Sequence, residues 1–174
     1  MNALHVVAAS ALLFIAAGVP AQSPAPNDAQ IAAIVVAANQ VDIDAGKLAH
    51  STSSNKEVKD FAQRMITDHT GVNKAATDLV TKLKVKPETN ATSKSLKQTG
   101  DETLKRLKTL KGAQFDKGYV DNDVSYHQTV LDALDKTLIP SAKNEELKAL
   151  LTNVRPAFVA HLEHAKHLQA ALAK

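Results

Sequence analysis

The sequence predicts an all-α protein, an antiparallel four-helix bundle with an extra, shorter helix between the second and third long helices. Three observations point there. Four long stretches place apolar residues at intervals of three and four, the period of a helix with one buried face. Short connections rich in Ser, Thr, Asn or Pro separate most of them, which makes sequence neighbours antiparallel. Aromatic residues are only 3% of 174 and Trp is absent, so the core must be built from small and aliphatic side chains, and few runs favour strands.

The first helix is expected from Asn27 or Asp28, either of which can cap it with Gln30 returning the bond, to about His50. Its apolar stripe is Ile31, Ile34, Val35, Ala38, Val41, Ala45 and Leu48. Asp42 falls on or beside that stripe and Asp44 on its flank. Ser51 to Ser54 form the turn. Ser54-x-x-Glu57 reads as a capping box that opens the second helix, which runs to about Lys84 before Val85-Lys86-Pro87 stops it. Its stripe is Val58, Ala62, Met65, His69, Val72, Ala76, Leu79 and Leu83.

Pro87 to Thr92 is a polar loop, with Ser93 as cap for a shorter helix whose weaker stripe (Leu96, Thr103, Leu107, Leu110) breaks near Gly112. The next helix is expected from about Ala113 to Leu138, with stripe Val120, Val124, His127, Leu131, Leu134 and Leu138. Asp123 stands one turn before the histidine. Ile139-Pro140-Ser141 reads as a turn. Asn144 caps the last helix, with Glu145 and Glu146 in its first turn, where the helix dipole favours anions. Its stripe is Leu147, Leu151, Val154, Phe158, His161, Ala165, Leu168 and Leu172. Pro156 lies inside it and should kink the helix by freeing the Thr152 carbonyl.

Several function classes fall away on composition. Without cysteine there are no disulfides, thiolate metal sites or cysteine nucleophiles. The 21 basic residues are interspersed with 18 acidic ones, so no nucleic-acid footprint stands out. Gly-rich phosphate loops, a G-x-S-x-G elbow and strand–helix alternation are all missing.

Residues 1–21 read as a signal peptide. Val6 to Val19 is apolar but short for a bilayer span, and Val19-Pro20-Ala21 presents small residues for cleavage after Ala21. No Lys or Arg precedes the apolar run, and an uncleaved N-terminal anchor is the alternative. Residues 22–27 form a proline-containing linker and 28–174 the bundle domain. The mature chain, with no later membrane-length stretch, is expected to be exported, and periplasmic in a Gram-negative cell.

Three helices each put one histidine on a core stripe: His69, His127 and His161. Asp42 joins them from the first helix, with Asp123 and Asp68 as further carboxylates; Asp68 is turned about 100° from His69. In a bundle, metal sites are assembled from side chains on facing helices, and neutral imidazoles with carboxylates suit zinc, iron, manganese or copper. The alternative is a hydrogen-bonded network with no metal, pairing Asp42 with His69 and Asp123 with His127. His164 and His167 flank the stripe and are expected to be solvated, and His50 is expected at a helix C-terminus.

The runs Asp42-Ile43-Asp44-Ala45-Gly46-Lys47-Leu48-Ala49, VKDFAQRMITDHT, AQFDKGYV followed by His127, and AFVAHLEHA resemble a family of exported bacterial proteins catalogued as domain of unknown function 4142. The likeness covers Asp28 to Ala171. It implies a ferritin-like four-helix bundle without an assigned activity, and Asp42, Asp68, His69, His127 and His161 as the positions matching its motif. Asp42 stands where that family commonly has Glu, and Tyr126 where relatives often carry Asp. The chain also lacks the Glu-x-x-His pairs that supply ligands in di-iron bundles, which argues against iron storage or di-iron oxidation. An exported ferritin-like bundle of unknown physiological role, with a candidate site for a single metal ion in its core, is thus the leading expectation. An envelope interaction or stress-protective protein is the alternative, and a metal-dependent oxidoreductase a more distant one.

Overall fold

The computed structural model describes residues 24–173, so the expected signal peptide and the start of the linker lie outside the described residues. Long helices are α1 (Asp28–Thr52), α2 (Lys56–Lys82), α4 (Gly112–Ala133) and α6 (Glu145–Leu172). The shorter α3 (Ala91–Lys108) lies between α2 and α4, and no strand occurs among the described residues. The all-helical bundle with an inserted helix is therefore as the sequence predicts.

Connectivity follows from contacts at the ends. Short loops make α1/α2 and α4/α6 antiparallel hairpins. Asp28 at the start of α1 accepts the backbone N–H groups of Lys143 and Asn144 at 2.9 and 3.0 Å, so α1 and α6 begin at the same end of the bundle. Phe61 near the start of α2 packs on Tyr119 near the start of α4, with ring centroids 6.2 Å apart, so α2 and α4 begin together at the other end. The α2–α4 connection must therefore travel the length of the bundle. The 18 residues of α3 supply about 27 Å of that path at 1.5 Å per residue, packed along α1. Gly100 of α3 allows the close approach, because a Cβ there would come within 2.7 Å of Val41.

Two helix starts are capped by residues other than those expected, one residue later at α2 and three residues earlier at α3. Asn55, not Ser54, caps α2 by accepting from the N–H groups of Glu57 and Val58. Asn90, not Ser93, caps α3, and Ser93 closes the box from the third helical position. Asn offers a carboxamide oxygen at least as good as a hydroxyl at this position. At the end of α2 the Val85 N–H reaches the Val80 carbonyl and the Lys84 N–H the Thr81 carbonyl. That is a Schellman closure with Lys84 at φ 54°, where glycine is usual.

The expected turn at Ile139–Ser141 is instead helical. After Ala133 the chain widens into a π turn over Leu134–Leu138, with the Ile139 N–H bonded to the Leu134 carbonyl, and α5 (Ile139–Ser141) follows. Pro140 explains the widening, since in a regular α-helix its ring would press on the carbonyl four residues back. Pro156, in contrast, sits within a continuous α6.

The core divides into two apolar clusters. One gathers Ile31, Ile34, Leu134, Leu151 and Phe158; the other gathers Phe61, Met65, Phe115, Tyr119 and Leu168. His69, His127 and His161 are almost completely buried, and His69 and His127 lie against Phe158 of the first cluster.

Candidate metal centre

The structure brings the three stripe histidines to one level. Ring centroids are 5.5 Å apart for His69–His127, 5.3 Å for His69–His161 and 5.4 Å for His127–His161. One nitrogen from each lies within 4.8 Å of the other two. α2, α4 and α6 each contribute one ring because each carries its histidine in the apolar stripe. Burying the stripe therefore buries the imidazole.

Each ring is held from outside by an acceptor. Asn39 of α1 donates its amide to the Val35 carbonyl at 2.8 Å, which turns its Oδ1 toward His69 Nδ1 at 2.7 Å. An acceptor there requires the proton on Nδ1 and leaves a lone pair on Nε2. His161 Nε2 donates to Asp68 Oδ2 at 2.8 Å, and Arg64 Nε donates to the same oxygen at 3.3 Å. His127 Nδ1 donates to the Asp123 carbonyl at 3.2 Å and lies 3.0 Å from the Asp123 carboxylate. The opposite atoms, His69 Nε2, His127 Nε2 and His161 Nδ1, are buried and have no hydrogen-bond partner among the described residues. Rings tied at the far nitrogen with the near nitrogen turned inward are the arrangement metal-binding histidines take.

The carboxylates occupy different places. Asp42 is buried and puts Oδ2 at 3.5 Å from His69 Nε2, too long for a hydrogen bond. Of the two pairs anticipated for a polar network, only Asp123–His127 is in contact at hydrogen-bond distance; His69 bonds Asn39 instead. Asp42, Asp123 and His127 form a second group whose donor atoms lie within 4.8 Å of one another. Asp68, with its side chain 38% exposed, sits beyond His161 on the outer side of the centre. His164 is half-buried with its ring edge-on to Phe61 at 5.0 Å, His167 is exposed, and His50 lies in the last turn of α1.

Burial and mutual repulsion set the charge state. Burial pushes the Asp42 carboxyl up to about 8, opposed by the His127 charge and aided by Asp123. Burial alone would lower His127, but Asp123 and Asp42 outweigh it and raise the imidazole to about 9. His69 falls to about 2 through burial and the neighbouring histidines, and His161 is lowered mainly by burial. The three rings are thus two neutral imidazoles and one imidazolium.

Asn39 was not anticipated from the sequence as a site residue. It stands four residues after Val35 and three before Asp42, on the buried face, and that placement was the available signal. Tyr126 donates its hydroxyl to the Ala38 carbonyl at 3.0 Å and so braces α1 behind Asn39.

A family model described as "Domain of unknown function (DUF4142)" matches residues 16–168. No curated protein and no solved structure matches the chain.

Proposed function

The chain belongs to the DUF4142 family, and on that footing we propose that it is an exported, ferritin-like bundle protein that holds one transition-metal ion in its core. His69, His127 and His161 are the ligands, and Asp42, whose Oδ2 lies 3.5 Å from His69 Nε2, completes the set. The single observation that carries this reading is that three inward ring nitrogens, all buried, lack partners at one level of the bundle while their outer nitrogens are all anchored. Leaving three such atoms unsatisfied would cost about 1–3 kcal/mol each, and a metal ion satisfies them together. Zinc or another first-row ion bonds imidazole at about 2.0–2.1 Å, so the donors must draw together from their present spacing. Asp123 and Asp68 act as acceptors that orient the His127 and His161 rings.

The single return helix α3 supports the ferritin-like assignment, since one crossover connection is how such bundles differ from simple up-and-down ones. Export rests on the apolar segment Val6 to Val19 and the small residues that follow it as far as Ala21. Among the described residues no helix is long and apolar enough to cross a membrane.

A second reading is a stress-protective or interaction protein with no metal. The contact between His127 and Asp123 at 3.0 Å favours it, because that pair satisfies much of its charge internally. Metal analysis of the purified protein beside His69→Ala separates the two. One equivalent in the parent and a large loss in the variant supports the centre, whereas equal content in both overturns it. A bound ion should also raise the melting temperature in a chelator-sensitive way.

A further inference from the structure

Beside the histidine level lies a narrow chamber of about 20 Å³. Asp42 and His69 are among its lining residues, and Val72, Leu134, Leu138 and Phe158 form much of the rest. A cavity needs about 10–15 Å³ in this measure to admit one water, so the space takes one or two heavy atoms. Its wall is almost entirely apolar. Asn39, the other polar residue on it, already spends its amide on Val35 and its oxygen on His69. Apolar cavities of this kind stay dry and accept small apolar guests. Leu134 and Leu138 sit at the two ends of the π turn, whose wider winding shapes this side of the chamber.

We infer that this chamber binds a neutral diatomic gas, of the size and polarity of dioxygen, and presents it to the Asp42–His69 edge of the centre. The binding site stands on the cavity alone; its meaning for a metal rests on the reading proposed above. The chamber touches Asp42 and His69 but neither His127 nor His161, so the guest would approach the centre from the Asp42 side only.

Xenon is the probe, followed by its ¹²⁹Xe chemical shift as the full protein is titrated. The expected result is a saturable, site-specific shift in the parent that falls to the level of unfolded protein in Val72→Phe. Val72 is only partly buried, and its enlargement should fill the chamber without unfolding the bundle. Val154→Leu, also on the chamber wall, is the milder filling variant if Val72→Phe does not fold. No saturable shift in the parent, or an undiminished shift in a folded filling variant, overturns the proposal. In protein shown by analysis to hold cobalt(II), the bound xenon should also be paramagnetically shifted. Loaded protein without that shift overturns the delivery to the centre. A protein that takes up no cobalt overturns the metal reading instead, while the xenon titration still decides the chamber.

Discussion

The Nδ1 proton of His69 is held by Asn39 Oδ1 at 2.7 Å, and Asn39 is itself fixed by its bond to the Val35 carbonyl. This chain of two bonds runs from the α1 backbone to the centre and decides which nitrogen of His69 faces inward. Asn39→Ala should therefore act twice. It leaves a buried N–H unpaired, costing about 1–3 kcal/mol of stability in chemical denaturation. It also frees the ring to turn, weakening metal affinity about 10–100-fold in a competition titration while the stoichiometry stays at one. An affinity equal to the parent's would show that Asn39 does not orient the ligand.

Lys84 and Gly112 provide opposite tests of the backbone. Lys84 adopts φ 54° in the closure of α2, a conformation that costs a side-chain-bearing residue about 1–2 kcal/mol. Lys84→Gly should raise stability by about 0.5–1 kcal/mol, after the larger entropy loss of glycine is subtracted. Gly112 starts α4 at φ 50°, and Gly112→Ala should lower stability by about 1 kcal/mol although no atom stands in the way of a methyl group. Urea midpoints of the two variants moving in the same direction would contradict the assignment.

The long helices and their histidines were legible because one periodicity encodes both. A stripe that must be buried carries His69, His127 and His161 inward wherever the bundle forms. Their common level was not legible, since it depends on how far each helix slides along its neighbours. Asn39 was passed over because an amide in an Ala-rich helix looks solvated until its Val35 and His69 partners are in place. The π turn escaped for a related reason. Pro140 signals a break, but whether the chain turns or merely widens is decided by the packing of Leu134 and Leu138.

Stability of the metal-free protein should peak near pH 6.5. As pH falls below that value the unfolded chain takes protons on His69 and His161 that the native rings refuse, with native His69 lowered to about 2. Asp42 opposes this, because its native carboxyl keeps a proton up to about 8 while the unfolded one loses it near 4. Just below pH 6.5 the unfolded state thus binds up to roughly one proton more, and stability rises there by up to about 1.4 kcal/mol per pH unit. His164, also lowered by burial, adds in the same direction. Above 6.5 the sign reverses. Native His127, raised to about 9, and Asp42, raised to about 8, both retain protons that the unfolded chain has lost. Stability should then fall at up to about 2.7 kcal/mol per unit as far as pH 8. Asp42→Asn should make the acid limb steeper and the alkaline limb shallower. Denaturation midpoints at half-unit pH intervals would show this, and a flat profile through 6.5 would exclude it.

The same charge state predicts what a metal must displace. At pH 7 His127 carries a proton that coordination has to remove, since its imidazole is raised to about 9. If Asp42 also ligates, its proton leaves too, because its carboxyl stays protonated up to about 8. His69 and His161 are already neutral and contribute none. Loading at pH 7 should therefore release about two protons per ion, and affinity should rise with pH until both groups have ionised. Calorimetry in two buffers of different ionisation enthalpy counts these protons directly. Asp42→Asn that still binds should release about one, which separates Asp42 as ligand from Asp42 as bystander. Release of none in the parent would mean that the ion binds away from His127.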